Sequence, residues 1–319
     1  MFMFFSGIRW FACLVWGTLP LVAAADFPWE QESCLPPAVV ESALRPDWVF
    51  CETPCDWRPS LSAIFRPLVS DCRSSGEAVL KIASQMTAVT GAFYSTERRI
   101  PNMNALEALR EKKVSCTGQS ILLVCALRSV GIPARVVWVM TWNHIPGNHT
   151  WVEAWVDGAW QMIEFNEKNF NTPWVMESIG MLNPTLPSQR IYAVAGGEAA
   201  SDLPLQVSVG GALRKEDVTE RYLALAREWY AQSGSGADTL RVMVDVFPRA
   251  SLPERVELLD SQGNVVSHAL LPTIREDIRK FASLCMPRSG RHFLRSPFGI
   301  QEVNITEQPV SIIRLTRPK

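Results

Sequence analysis

The chain has 319 residues, 47% of them hydrophobic, and a formal net charge of −1. Because its basic residues form no stripe or cluster, nucleic acid is not an expected partner. The length is ample for a folded core and predicts two domains, at the usual scale of about 150 residues per domain. No motif typical of a dinucleotide, nucleotide-phosphate, zinc-protease or calcium site occurs. The sequence therefore predicts no cofactor and no resident metal.

Residues 1–25 are predicted to be a secretory signal peptide. Arg9 precedes an apolar run, and three alanines at 23–25 form a small-residue cleavage site before Asp26. The run is shorter than the roughly 20 residues that a membrane span needs. No later stretch could cross a bilayer. The sequence thus predicts a secreted or periplasmic protein with no membrane span once the signal is removed.

Residues 26–74 are rich in proline and tryptophan and predict a capping segment with short helical pieces that packs on the core. The segment contains Cys34, Cys51, Cys55 and Cys72. In an exported protein these cysteines are candidates for two disulfides, with the connectivity left open. A zinc site made from the same four is the alternative, although the spacing of Cys51 and Cys55 is looser than in a usual zinc knuckle.

The predicted core, residues 75–200, begins with two helices. Residues 76–96 place apolar side chains at helical spacing. Residues 104–111 form a shorter helix, with Asn104 as its N-cap and Glu107 three residues later, the pattern of a capping box. These helices lead directly into a polar loop that ends at a cysteine.

Cys116 lies at the predicted start of a buried helix. The apolar run 121–127 follows it, and Gly131 and Pro133 then end the helix. The positive end of a helix favours a thiolate over a thiol, and its unpaired N–H groups could bind an oxyanion. A buried structural cysteine is the alternative. Residues 135–142 form a β-branched and aromatic run that predicts a buried strand.

The next two apolar segments, 149–155 and 159–165, predict a β-hairpin. They flank Asp157-Gly158, which is a strong signal for a two-residue turn. With these turn residues, Val156 faces Ala159. One face of the hairpin carries apolar side chains that we expect to pack on the cysteine helix: Trp155, Trp160 and Met162.

The same register places a carboxylate beside a histidine. It pairs His149 with Asn166 and Trp151 with Glu164. Glu164 then shares a face with His149, at a diagonal Cα separation of about 7 Å. Glu167 would point to the other face.

A cysteine at a helix start, together with a histidine and a carboxylate on one hairpin face, makes up the parts of a thiol triad. The candidate catalytic residues are Cys116, His149 and Glu164. His144, in the loop before the hairpin, fits a solvated position better than a catalytic one. Three further residues are candidates for the cleft wall, although the two tryptophans among them fit core positions equally well: Trp142, Asn148 and Trp151.

The chain after the core changes pattern. Residues 201–236 predict a linker that contains a helix, and residues 237–319 alternate with period two and predict a C-terminal β-sandwich. This domain carries no catalytic motif. It could pack on the core, recruit substrate, or serve only as structure.

The stretch from Cys116 to Glu164 resembles the transglutaminase-like superfamily. The matching segments are LRSVGIPARVV, HTWVEAW and the acid that follows. The resemblance implies an α+β fold with a papain-like core, in which the cysteine helix packs on an antiparallel sheet. It also implies Cys116 as nucleophile, His149 as base and Glu164 as the residue that orients His149. Many members have aspartate in the third position, so Glu167 remains a rival to Glu164.

The resemblance implies an exported cysteine enzyme that acts on peptide or side-chain amides through a thioester. Its partner would be a protein or peptide substrate. Membership does not fix the reaction. We favour hydrolysis over crosslinking, and a catalytically silent protein- or peptide-binding module of the same fold is the alternative. The sequence makes no prediction of the oligomeric state.

Overall fold

The computed structural model describes residues 27–30, 34–195, 214–232, 238–305 and 310–318. The predicted signal peptide lies outside these residues, as do parts of the predicted linker. Within the described chain, no helix combines the length and the apolar character that a membrane crossing requires.

The described residues form α-helices with these bounds: α1 (Pro37–Val39), α2 (Arg58–Leu68), α3 (Ser75–Thr90), α4 (Ala105–Glu111), α5 (Cys116–Arg128), α6 (Pro173–Gly180) and α7 (Thr219–Gln232). They form strands with these bounds: β1 (Phe93–Tyr94), β2 (Lys113–Val114), β3 (Ala134–Val139), β4 (His149–Val156), β5 (Ala159–Ile163), β6 (Ile191–Val194), β7 (Lys215–Asp217), β8 (Thr239–Phe247), β9 (Glu254–Leu259), β10 (Val265–Leu271), β11 (Ala282–Pro287), β12 (His292–Ser296), β13 (Gly299–Val303) and β14 (Val310–Thr316).

Both helices predicted before Cys116 are formed. The first, α3, ends at Thr90 because Gly91 adopts a left-handed conformation with φ of 74°. The second, α4, has the predicted capping box. The Asn104 side chain accepts a hydrogen bond from the backbone N–H of Glu107, whose carboxylate accepts one from the Asn104 N–H.

The centre of the fold is a five-stranded antiparallel sheet with the strand order β5-β4-β3-β6-β7. Helix α5 packs on one face of this sheet and is buried along most of its length. Its apolar residues share a cluster with Val152 and Ala154 of β4 and Ile163 of β5. The predicted α+β architecture, a cysteine-bearing helix on an antiparallel sheet, is therefore confirmed.

The prediction that Trp155, Trp160 and Met162 pack on the cysteine helix is wrong. Side chains alternate along a strand, and α5 covers the face that carries Val152 and Ala154. Met162 lies on the opposite face, in a second cluster with α6 and α7. Trp155 and Trp160 instead contact each other edge to face, with ring centroids 5.2 Å apart.

The capping segment packs on the core without the two expected disulfides. Cys51, Cys55 and Cys72 are free thiols, and two disulfides would have required all four cysteines of the segment. Cys51 lies within the α5 cluster, whereas Cys55 and Cys72 pack at its margin. Burial raises the pKa of the Cys51 thiol to about 12, which keeps it protonated. The structure therefore does not contain the two predicted disulfides.

The C-terminal strands form two sheets, β10-β9-β12-β13 and β11-β8-β14. Apolar side chains from both sheets enclose a shared core, including Val244 of β8, Leu258 of β9 and Leu294 of β12. Strand β14 runs parallel to β8, and the other pairs are antiparallel. These strands form the β-sandwich that the period-two pattern predicts.

The sandwich packs, through α6 and α7, on the face of the central sheet that lies opposite to α5. One buried cluster joins Trp174 of α6 and Tyr222 of α7 with Met243 and Phe281 of the C-terminal region. This contact fixes the position of residues 272–281, which connect β10 to β11 and are called the β10–β11 loop below. The loop reaches the candidate site.

A buried carboxylate lies at the same interface. Glu177 of α6 accepts a hydrogen bond from the Ser283 hydroxyl, and its Oε1 lies 3.7 Å from Nε of Arg241. Its Oε2 is buried without a hydrogen-bond partner among the described residues. Burial raises the pKa of Glu177 to about 7, and the Ser283 and Arg241 interactions only partly oppose this rise.

We expect Glu177→Gln to stabilise the protein at pH 8 relative to wild type, by up to about 3 kcal/mol. The folded-state pKa lies above the ordinary value of 4.5, so ionisation of Glu177 reduces stability as pH rises from about 4.5 to 7. At pH 4 the benefit should disappear, because both states then hold the proton. Chemical denaturation at the two pH values measures this difference. Glu220→Gln, an exposed change in α7, is the control, and an identical pH dependence in Glu177→Gln and wild type would contradict the prediction.

Candidate active site

Cys116 is the first residue of α5 and is 7% exposed. Ser115 is the N-cap, and its hydroxyl accepts a hydrogen bond of 2.9 Å from the Gly118 N–H. The first helical backbone bond runs from the Gln119 N–H to the Ser115 carbonyl. The N–H groups of Cys116 and Thr117 therefore precede the helical bonding pattern. They are positioned to stabilise negative charge beside the sulfur.

His149 is the first residue of β4 and is 2% exposed. Its Nε2 lies 2.6 Å from Oε1 of Glu164. This short contact fixes the orientation of the imidazole, and a nitrogen of the same ring lies within 4.8 Å of the Cys116 sulfur.

The hairpin register is formed only in part. Val156 pairs with Ala159, as predicted, and the pairing continues to Val152 and Ile163 and then stops. The predicted facing pair of His149 and Asn166 is not formed. Asn166 has a φ of 66°, and its N–H donates to the Ala83 carbonyl in α3. The chain thus leaves the sheet after β5.

Trp174 of α6 completes the surroundings of Glu164. Its indole N–H donates a 3.0 Å hydrogen bond to Oε2 of Glu164, and its ring contacts His149 edge-on at 4.7 Å between centroids. Both carboxylate oxygens of Glu164 therefore have a partner. Nothing in the sequence pattern singled out Trp174, because it is contributed by a separate helix.

The β10–β11 loop contributes a second carboxylate. Oδ2 of Asp277 lies 3.3 Å from Nδ1 of His149. Three donor atoms lie within 4.8 Å of one another: Sγ of Cys116, a ring nitrogen of His149 and a carboxylate oxygen of Asp277. Sequence reasoning missed Asp277, since no motif surrounds it. The only sequence feature near Asp277 is the run of charged residues at 275–280, which does not identify a functional site.

Residues 63–165 match the family model described as the transglutaminase-like superfamily. The matched residues cover most of the predicted core, which is therefore transglutaminase-like. No curated protein matches the chain. Two solved structures are similar to it. One is a candidate cysteine protease from Cytophaga hutchinsonii, with 19% identity, a TM-score of 0.30, and coverage of 34% of this chain and 37% of that chain. The other is red sea bream transglutaminase, with 12% identity, a TM-score of 0.34, and coverage of 82% and 58%, respectively.

The charges in the transglutaminase-like core favour a protonated imidazole. Burial alone lowers the pKa of His149, but the adjacent side chains of Asp277, Cys116 and Glu164 outweigh burial and raise it well above 6.5. Burial raises the pKa of the Asp277 carboxyl group. The attraction of His149 and Arg279 outweighs burial and lowers that pKa to about 2. His149 is therefore able to hold a proton beside the Cys116 sulfur.

The two rival residues lie away from this arrangement. Glu167 pairs with Nζ of Lys280 at 2.7 Å and makes no contact with His149 among its described interactions. His144 is half-buried rather than solvated, with Nε2 3.4 Å from the Ser178 hydroxyl. Burial lowers its pKa to about 4.

Two cavities of the transglutaminase-like core meet at Cys116. The first, of about 340 Å³, is lined by Cys116, His149, Trp151, Glu164 and Asp277, among others. The second, of about 380 Å³, has Asn148 and Arg279 in its wall as well as Cys116. Trp142 lines neither cavity and stacks on Trp151, with centroids 6.2 Å apart. The β10–β11 loop contributes to both cavities.

Proposed function

We propose that this protein is an exported cysteine enzyme that hydrolyses peptide or side-chain amides through Cys116, His149 and Glu164. One observation carries the proposal. The imidazole of His149 is held by Glu164 at 2.6 Å on one nitrogen, and the ring lies within 4.8 Å of the sulfur at the start of α5. This is the arrangement of nucleophile, base and orienting acid that acyl transfer requires.

In the first half of the reaction, His149 holds the thiol proton and the Cys116 thiolate attacks the amide carbonyl. The tetrahedral oxyanion accepts hydrogen bonds from the backbone N–H groups at the start of α5. His149 then gives its proton to the leaving nitrogen as the carbon–nitrogen bond breaks. An acyl thioester on Cys116 remains, and ammonia or an amine departs.

In the second half, a water molecule attacks the thioester. His149 accepts a proton from the water, and the carbon–sulfur bond breaks to release a carboxylic acid and the free cysteine. An amine in place of water would give a new amide, which is crosslinking. We favour water because it needs no second macromolecule to enter a site where Cys116 is only 7% exposed.

The two cavities suggest how a peptide would lie. A chain that crosses Cys116 would place its acyl side in one cavity and its leaving side in the other. The second cavity has Arg98 and Arg279 in its wall, so it favours neutral or acidic groups. A protein or peptide substrate fits this shape better than a small compact amide.

The alternative is a protein- or peptide-binding module without turnover. The observation that favours it is the position of Asp277. Its carboxylate lies 3.3 Å from the same histidine nitrogen that faces Cys116, and the sulfur itself is largely covered. A module of this kind would bind ligand in the cavities and leave it unchanged.

The products distinguish these functions. The purified protein is incubated with a casein-like protein, with glutamine-containing peptides and with a labelled amine, and Cys116→Ala serves as the blank. We expect released ammonia or new amino termini in the wild type and no incorporation of the labelled amine. Amine incorporation would favour crosslinking. Product levels in the wild type no higher than in Cys116→Ala would favour the binding module.

A further inference from the structure

The carboxylate of Asp277 has no part in the proposed reaction, yet it lies at the centre of the site. Donor atoms of Cys116, His149 and Asp277 lie within 4.8 Å of one another, and all three residues are buried. Among the described residues this is the one group of cysteine, histidine and acidic side chains with the spacing of metal ligands. A thiolate, an imidazole and a carboxylate are the three side-chain types that bind zinc.

Two of the three donor atoms form an ion pair with each other, yet neither takes part in a hydrogen bond of good geometry. Nδ1 of His149 and Oδ2 of Asp277 are buried without a hydrogen-bond partner, although they lie 3.3 Å apart. Buried polar atoms of this kind usually have a partner, and a bound ion is one of the standard reasons for an exception. The Cys116 sulfur lies within 4.8 Å of donor atoms of both residues. The missing hydrogen bonds therefore point to a ligand that all three residues share.

The supporting contacts are those of a metal site. Glu164 holds the opposite nitrogen of His149, which fixes the ring so that Nδ1 is presented to the site. Metal-binding histidines almost always have such a carboxylate or carbonyl on their second nitrogen. Asp277 is held in turn, because its Oδ1 accepts a 2.9 Å hydrogen bond from the Arg279 N–H. Oδ2 is left to act as the ligand.

The spacing also fits the ion. Zinc binds nitrogen and oxygen at about 2.0–2.1 Å in tetrahedral geometry, which places two such ligand atoms about 3.3 Å apart. Nδ1 of His149 and Oδ2 of Asp277 already have this separation. A sulfur in the same site lies about 3.6 Å from the other ligand atoms, so from a separation of at most 4.8 Å it needs to approach by about 1.2 Å or less. A side-chain rotation of Cys116 at the helix start provides such a movement.

We propose that Cys116, His149 and Asp277 form an inhibitory Zn²⁺ site that closes the catalytic centre with the β10–β11 loop. The thiolate and the carboxylate supply two negative charges that balance the divalent ion, and His149 releases a proton to water so that its neutral imidazole can bind the ion. With zinc bound, the sulfur is a metal ligand and is not available as a nucleophile. The ion also ties the C-terminal sandwich to the core through Asp277. Loss of zinc restores the thiolate to His149.

The test measures binding directly, on the full chain after treatment with a chelator. Isothermal titration with Zn²⁺ should give one site per chain. Asp277→Asn should weaken the affinity by about 10-fold or more, since even changes to residues that only hydrogen-bond to a zinc ligand cost about 10–100-fold. Cys116→Ala should weaken it at least as much. Asp157→Asn is the matched control, because Asp157 is exposed in the β4–β5 turn, where asparagine tolerates its φ of 51°.

Two further readouts identify the ligands. With Co²⁺ in place of zinc, the wild type should show a sulfur-to-metal charge-transfer band that Cys116→Ala lacks. Alkylation of Cys116 by iodoacetamide, followed by peptide mapping, should be slowed by Zn²⁺ and restored by a chelator. In Asp277→Asn, the same protection should need at least about 10-fold more Zn²⁺.

Zinc affinity that is equal in wild type, Cys116→Ala and Asp277→Asn would overturn the proposal, as would the absence of both a titration signal and protection of Cys116. Circular dichroism of each variant confirms that it is folded. Because binding and thiol protection are the readouts, a negative result leaves the proposed amide hydrolysis untouched. Equally, a protein without turnover could still bind zinc here.

Discussion

We expect His149→Ala to lower the amide turnover of this protein by about 10⁴-fold. Within the described part of the chain, the imidazole is the one base that lies beside the Cys116 sulfur and is also held by a carboxylate, at 2.6 Å from Glu164. Without it, the thiol proton has no acceptor and the leaving nitrogen has no donor. The loss should appear in kcat, because the imidazole acts on the reacting atoms and not on distant parts of the substrate.

His144→Gln is the control for this change. His144 is the other histidine near the site, and its Nε2 contacts the Ser178 hydroxyl at 3.4 Å, a bond that a glutamine amide can replace. We expect its turnover to change by no more than a few-fold. Alkylation of Cys116 at neutral pH should slow in His149→Ala and not in His144→Gln. Equal turnover in His149→Ala and wild type would exclude the proposed mechanism.

The second large effect is expected at Glu164. Glu164→Gln should lower turnover by between about 10² and 10⁴-fold, because loss of an orienting carboxylate permits the wrong tautomer of the histidine. The amide of glutamine can offer an N–H to Nε2 of His149, and the proton would then move to Nδ1, which faces Cys116. Trp174 would also lose its charged acceptor at Oε2. Steady-state kinetics with the best substrate from the product assay measures the effect.

Glu167→Gln is the matched control, with the same chemical change three residues along. Glu167 pairs with Lys280 at 2.7 Å, and Lys280 keeps a second partner in Glu276 at 2.9 Å. We therefore expect only a small change in turnover. A larger loss in Glu167→Gln than in Glu164→Gln would mean that the acid orienting His149 has been assigned wrongly.

Local pattern was sufficient to predict much of this molecule. The capping box of Asn104 and Glu107, the end of α5 before Gly131 and the Asp157-Gly158 turn depend on residues close in sequence, and each is formed. The hairpin register was correct up to Ile163. It failed beyond that point, because Asn166 bonds to α3 and a strand pattern contains no information about contacts with a distant helix. The prediction of which sheet face α5 covers was wrong for a similar reason. Both faces of β4 carry buried apolar side chains, so the pattern does not distinguish them.

The C-terminal contribution to the site was beyond local pattern altogether. Asp277 reaches His149 because the sandwich packs on α6 and α7 through a shared apolar cluster. That packing depends on the shapes of two surfaces, neither of which carries a motif. The same is true of Trp174, which reaches Glu164 from α6.

The sequence by itself determined the helix with Cys116 at its start, the strand that begins at His149 and the turn that brings Glu164 back, because short-range hydrogen bonding and apolar spacing decide such elements. Only the tertiary structure decided which carboxylates meet the imidazole and on which nitrogen. Glu164 takes Nε2, and Asp277 approaches Nδ1 from another domain. Such encounters depend on how whole layers pack, and packing is a property of surfaces assembled from residues far apart in the chain.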